Sequence, residues 1–204
     1  MDMAVMDVRP VALEGRRMRL EPLSLSHHAA LAGLLDPTLL QWFAKPIVTA
    51  ADMREFIAEA LAEQKQGRAL PFAVIERATG RAVGSTRFAN IDRANRRAEI
   101  GWTWLGRAWQ RTGINIEAKL VMMAHAFEAL GAIRVEFKTD AQNEQSRAAL
   151  TRLGATEEGY FRNHLVAADG RIRHSVWFSV VEADWPRVKR GLENRLVAPK
   201  RGRR

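Results

Sequence analysis

The sequence predicts an α/β or α+β domain, in which one mixed, mostly antiparallel twisted sheet carries helices on both faces. Three observations predict it. Stretches of alternating polar and apolar residues are interleaved with stretches of helical period, in the order strand, two helices, three strands, helix, strand, helix, two strands, helix. A sheet covered on both faces accommodates that order. At 204 residues the chain is long enough for one domain with a sizeable core and slightly short for two. No internal repeat, low-complexity tract or interdomain linker divides it, so we expect a single domain over 13–196, a flexible N-terminus at 1–12 and a flexible basic tail at 197–204.

The elements follow in chain order. Arg16 to Leu23 alternates with period two, as a half-buried strand does, and Ser24 or Ser26 can cap a helix that ends near Asp36-Pro37. Thr49 with Asp52 three places on is a capping box, followed by Met53, Phe56, Ile57, Ala60 and Leu61 at helical spacing up to about Gly67. Pro71 to Ile75, Ala82 to Phe88 and Ala98 to Trp104 read as strands of an antiparallel meander, with turn residues between them. Ile116, Leu120, Met123, Phe127 and Leu130 form one apolar stripe, and Gly131 is placed to stop that helix. Ile133 to Phe137 alternates again, and Asn143 opens a shorter helix that Gly154 closes. Two strands, about Glu157 to Val166 and Ile172 to Val180, flank the turn Ala168-Asp169-Gly170. Trp185, Val188 and Leu192 mark a final helix from Glu182 onward.

Composition narrows the function classes. A chain 47% hydrophobic and 27% charged is that of a soluble globular protein, not a disordered one. No stretch reaches the ~18 apolar residues needed to span a bilayer, and Met1 to Val8 carries Asp2 and Asp7 without the pattern of a signal peptide. We therefore expect a cytoplasmic protein without membrane partners. Zero cysteines removes thiolate metal sites and cysteine nucleophiles. The net charge is +9, of which the last five residues, Lys200 to Arg204, supply +4. A basic globule suits an anionic ligand, RNA or an acidic protein surface, whereas a basic tail alone is more simply a solvated end.

One junction carries more information than the rest. Residues 108–115, "AWQRTGIN", lie between a tryptophan-rich strand and the strongest helix of the chain. A loop that brings free backbone N–H groups and a cation to a helix start is suited to hold an anion, usually a phosphate. The plain alternative is a connecting turn.

The element order, together with "QRTGIN" leading into "IEAKLVMMAHAFEALG", resembles the GNAT superfamily of acyl-CoA N-acyltransferases, closest to its RimJ/RimL-type branch. The resemblance covers Leu13 to about Leu192 and implies a GNAT-like fold with a splayed central strand pair. Gln110, Gly113 and Asn115 match the defined positions of the superfamily's Q/R-x-x-G-x-G/A loop, with Asn115 departing from Gly or Ala. By that resemblance the backbone amides of Arg111, Thr112, Gly113, Ile114 and Asn115, with the positive helix end, hold the pyrophosphate of coenzyme A, and Gln110 is a further cofactor-binding residue.

The resemblance also nominates the chemistry. Glu99 in "AEIGW" sits on the strand where superfamily members place a general base, and an acceptor ammonium must lose a proton before it can attack. The alternative is a strand glutamate paired with Arg96 or Arg97. Gly101 suggests a bulge or a close backbone approach. Trp104 and Leu105 would touch the pantetheine arm through their backbone, and Trp102 is read as core. "NEQSRAAL" matches the superfamily's Asn-x-x-Ser helix start, so Asn143 and Ser146 would meet the pantetheine amides or the leaving sulfur. The customary tyrosine acid four residues on is Leu150 here, which leaves Ser146 as the candidate to orient or protonate the thiolate. The five histidines show no metal-ligand spacing; His164 and His174 are read as structural, and Trp42-Phe43 as core contacts that could otherwise wall the acceptor site.

The function expected is acetyl transfer from acetyl-CoA to a primary amine, either a protein N-terminus or a small molecule, by direct attack in a ternary complex without a metal. A homodimer is left open. The rival is a basic RNA- or ribosome-associated module without catalysis, using Arg16, Arg17, Arg19, Arg93, Arg96, Arg97 and the tail. It lacks interleaved aromatic stacking motifs and is not favoured.

Overall fold

The computed structural model describes residues 6–36, 38–167 and 169–197. The expected basic tail lies almost wholly outside these residues, and the expected loose N-terminus partly so; within the latter, Met6 is buried in the core. One sheet of eight strands forms the frame: β1 (Leu13–Glu14), β2 (Met18–Pro22), β3 (Leu70–Glu76), β4 (Ala82–Asp92), β5 (Arg97–Leu105), β6 (Arg134–Asp140), β7 (Thr156–Val166) and β8 (Ile172–Val181). Their spatial order is β1-β2-β3-β4-β5-β6-β8-β7. Every pairing is antiparallel except β5 with β6. The predicted meander is β3 to β5.

Among the described residues, five α-helices cover the two faces: α1 (His28–Ala32), α2 (Ala50–Lys65), α3 (Ile114–Ala124), α4 (Glu144–Leu153) and α5 (Trp185–Val197). Two apolar clusters result. Leu31 of α1 and Met53, Phe56 and Ile57 of α2 pack with Ala73, Ile75 and Trp104 on one face. Ile114, Met122 and Met123 of α3, Leu150 of α4 and Trp185, Val188 and Leu192 of α5 pack with Phe72, Phe88, Ile100, Val135 and Phe137 on the other. Each leucine-sized side chain buried in this way contributes roughly 1.5–3 kcal/mol.

Helix boundaries follow local chemistry. Thr49 accepts from the Asp52 amide while Asp52 accepts from the Thr49 amide, the expected capping box. Asn143 Oδ1 accepts from the Ser146 amide, and Gly154 closes α4 at φ +97. Past its regular turns α3 widens into a π turn over His125–Ala129, and Gly131 at φ +64 ends the run. The first helix is shorter than expected: α1 ends at Ala32, well before Asp36.

Glu117, in the first turn of α3, fastens the edge of the sheet to this helix. Its two carboxylate oxygens accept the amides of Arg16 and Arg17, each at 2.8 Å. Gly15 is needed beside it, because a Cβ there would lie 2.9 Å from the Glu117 carboxyl carbon.

Candidate active site

The site begins where the parallel ladder fails. β5 and β6 are in register at only three positions, Arg97 with Arg134, Ala98 with Val135 and Glu99 with Glu136. Beyond Glu99 the two strands part, β5 running on to Leu105 and β6 to Asp140. The gap is a cleft of about 520 Å³, walled by both strands, floored by α3 and flanked by Asn143, Ser146 and Leu150 of α4.

Two bulges on the β4/β5 pair bracket Glu99. Arg87 faces Gly101 and Ser85 faces Trp104, so Trp102 and Thr103 oppose Thr86 alone. Ala89 faces Glu99 and Asp92 faces Arg97, which leaves Asn90 and Ile91 against Ala98. The bulged residues Trp102 and Asn90 each sit at φ +48. This turns the Asn90 side chain inward, and its Nδ2 donates to Glu99 Oε2 at 2.7 Å. Lys138 Nζ lies 3.6 Å from the same oxygen. Glu99 Oε1 accepts no hydrogen bond among the described residues, and Gly101 leaves room for it, since a Cβ at Gly101 would stand 3.1 Å away.

Glu99 is thus 4% exposed and lines the cleft at its crotch. The surface pairing with Arg96 or Arg97 does not occur: Arg97 bonds Asp92 and Glu136 instead. Trp102 corrects a second expectation. It is 36% exposed, lines the cleft and lies under the Arg87 guanidinium at 4.4 Å, because the bulge swings it out of the core. Trp104 is buried and Leu105 is also a cleft residue.

At the other end of the cleft lies the loop before α3. Arg111 at φ +60 and Gly113 at φ +99 coil it back on itself. Thr112 Oγ1 donates to Trp109 O at 2.7 Å and Gln110 Nε2 donates to Leu105 O at 3.1 Å, so both side chains brace the loop rather than point from it. Ile114 N bonds the Thr112 hydroxyl weakly at 3.5 Å. Among the described residues, the amides of Arg111, Thr112, Gly113, Asn115 and Ile116 have no protein acceptor. Free amides at the positive end of a helix are suited to an anion. Arg17 adds charge: its Cζ lies 3.9 Å from where a Gly113 Cβ would be.

Asn143 caps α4, and Ser146 lines the cleft with its amide held by that cap. Trp42 and Phe43 line the cleft too, while Phe43 also packs on Phe56 at 5.9 Å between ring centroids. His164 bonds Ser175 Oγ at 3.0 Å and stacks edge-on against Trp177, and His174 accepts from the Asn163 amide at 2.9 Å. Neither histidine lines the cleft among the described residues. Among the described residues, no group of three or more His, Asp or Glu is arranged to hold a metal ion. The cations that would form an RNA face are partly engaged: Arg19 with Glu21, Arg93 with Val8 O, Arg97 as above.

Sequence reading passed over three site residues. Asn90 gives no signal, since its role depends on the bulge register. Lys138 falls at an ordinary alternating position of β6. Lys119 had a signal: it stands on the apolar stripe of α3, three residues after Ile116 and four before Met123. It is 8% exposed.

A sheet forked at its one parallel pair, with a carboxylate in the crotch and an anion cradle at the adjoining helix mouth, defines an acyl-transfer enzyme of the N-acetyltransferase class. The model of the acetyltransferase (GNAT) domain matches residues 17–156, and the chain belongs to that family. A GCN5-related N-acetyltransferase from Brucella melitensis superimposes with a TM-score of 0.87 at 32% identity, covering 98% of this chain and 91% of that one. Bacillus subtilis (strain 168) YdaF, provisionally named a ribosomal N-acetyltransferase, is 34% identical over 106 residues, 52% of this chain and 57% of YdaF. The [ribosomal protein uS5]-alanine N-acetyltransferase of Escherichia coli (strain K12) is 28% identical over 122 residues, 59% of this chain and 62% of that protein. The chain therefore matches less than two thirds of the length of these two curated relatives. They support the RimJ/RimL-type branch. No helix among the described residues is long and apolar enough to cross a membrane.

Proposed function

We propose that the chain moves an acetyl group from acetyl-CoA to a primary amine, a protein N-terminus or a small molecule, by direct attack in a ternary complex. One observation carries this reading: a cleft connects loop amides at the mouth of α3 with a buried Glu99, and among the described residues neither those amides nor Glu99 Oε1 has a hydrogen-bond partner. The loop amides of Arg111, Thr112, Gly113 and Asn115, with Gln110 and Ile114 completing the turn, hold the pyrophosphate. The backbone of Trp104 and Leu105 and the side chains of Asn143 and Ser146 guide the pantetheine arm. Glu99, held by Asn90, accepts the proton of the acceptor amine directly or through water, and a backbone N–H at the bulge supports the oxyanion. Ser146 orients the leaving sulfur.

In this reading no metal takes part, the domain spans 13–196, and the enzyme works in the cytoplasm. The relatives that act on ribosomal proteins make a protein N-terminus the first acceptor to try. The test is a thiol-release screen with acetyl-CoA against peptides beginning with alanine or serine and against small amines. Release that depends on one acceptor class, with acetylated product found by mass spectrometry, supports the proposal. Failure of acetyl-CoA to raise the melting temperature at millimolar concentration refutes it, because any ligand that binds only the native state stabilises it.

A further inference from the structure

Lys119 lines the cleft and has no part in the mechanism above. It projects from α3 one turn beyond the anion loop, and its Nζ donates to Thr103 Oγ1 at 2.7 Å. Thr103 is in turn bonded to Thr86 Oγ1 at 2.7 Å, so the ammonium is held at the bulge. The Phe137 ring lies 5.8 Å away across the fork, which places Nζ between the two parted strands. Of its three donors one is used, and no carboxylate stands within ion-pair distance among the described residues. The other cations deep in the cleft are engaged: Lys138 with Glu99, and Arg173 with Asp140 and Ser175.

A buried ammonium without an anion is costly, and burial pushes Lys119 down to about 7, a fall that the charge of Glu99 only partly opposes. Such a group is stabilised when negative charge arrives beside it, and preorganised charge of this kind favours the transition state over the ground state. The reaction makes such charge at a definite place. If the acceptor's proton goes to Glu99 at the crotch, and the donor enters from the loop at the start of α3, then the thioester sulfur lies between them. Lys119 occupies that stretch of α3.

Resting on the acetyl-CoA reading above, we propose that Lys119 is a further catalytic group of this enzyme, whose ammonium stabilises the negative charge on the departing sulfur. The acceptor nitrogen bonds to the carbonyl carbon and its proton passes to Glu99. The C–S bond then breaks with its electron pair on sulfur, and the thiolate faces Lys119. It takes a proton from water as coenzyme A leaves, and the hydroxide so formed takes the proton held by Glu99, which returns the carboxylate to its starting state.

Coenzyme A itself is the probe. Bound to the wild-type protein, its thiol, followed by thiolate ultraviolet absorbance, titrates at least one pH unit below free coenzyme A, a tenfold rise in acid dissociation. Lys119→Met removes that shift, whereas Lys119→Arg retains it. Calorimetry shows acetyl-CoA, whose sulfur is neutral, bound equally by wild type and Lys119→Met to within threefold, while turnover falls at least tenfold in the Met variant. A bound thiol that titrates at or above the free value in the wild type, or a shift that survives in Lys119→Met, overturns the proposal. If the Met variant does not fold, the wild-type titration alone decides. Absence of any coenzyme A binding to the wild type instead refutes the acetyl-CoA reading beneath it.

Discussion

Replacing Gly113 by alanine isolates the contribution of the loop conformation to ligand binding. The residue sits at φ +99, and a Cβ there meets nothing closer than Leu196 Cδ2 at 3.8 Å and Arg17 at 3.9 Å. Sterics with neighbours therefore add little, and the cost is backbone strain, ~1–2 kcal/mol for an L-residue held left-handed. For a domain of this size each kcal/mol corresponds to roughly 2–4 °C in melting temperature, so Gly113→Ala melts about 2–8 °C lower. The loop relieves the strain by rotating its peptides, which turns at least one amide away from the anion. Losing one hydrogen bond to a charged group costs ~1.5–3 kcal/mol, a roughly 10- to 150-fold weaker affinity for acetyl-CoA. Gly131→Ala is the control: it has φ +64, open space around it and no part in the cleft. It lowers the melting temperature comparably and leaves affinity unchanged. Scanning calorimetry with isothermal titration measures both. Unchanged affinity in Gly113→Ala, or an equal loss in Gly131→Ala, refutes the reasoning.

Three further outcomes are expected. Glu99→Gln keeps acetyl-CoA affinity within a few-fold and lowers turnover by ~10²–10⁴, the range for a general base; steady-state kinetics with calorimetry test this, and unchanged turnover removes Glu99 from the mechanism. Glu117→Ala strands the amides of Arg16 and Arg17 and destabilises the fold by about 3–5 kcal/mol, read by urea denaturation, with accelerated hydrogen exchange at those two amides. Lys119→Met stabilises the free enzyme at neutral pH, with a ceiling of about 5 kcal/mol, because it removes a buried ammonium. The sign with pH is definite: the unfolded lysine keeps its proton to ~10.4 while the folded one releases it at about 7. The wild type thus gains stability as pH rises from 7 toward 10, and the advantage of the Met variant shrinks over that window. A constant advantage across it contradicts the burial argument.

How much of this was legible in the sequence depends on the range of the physics involved. Thr49 with Asp52, Asn143, Gly131 and Gly154 announced helix ends because caps are local. The order of periodicities gave the layers. The loop at 110–115 was visible from its position between strand and helix, although Gln110 and Thr112 turned out to brace it with their side chains. What stayed hidden depends on register. Asn90 reaches Glu99, and Trp102 leaves the core, only because each occupies the extra place in a bulge, and period-two reading assigns bulged residues to the wrong face. The short first helix was overextended because Gly33 ends α1 before the more conspicuous Asp36-Pro37. Pro37 itself, like Ala168 in the hairpin turn, lies outside the described residues.

The three-residue seam between β5 and β6 has a mechanical meaning. It divides the sheet into a five-strand ribbon and a three-strand ribbon, sewn together along the backbone at a single short run of hydrogen bonds. A molecule lying in the gap bridges both ribbons and acts as a wedge glued to each side, so an occupied enzyme should ring as one stiff plate where the empty one flexes about that seam.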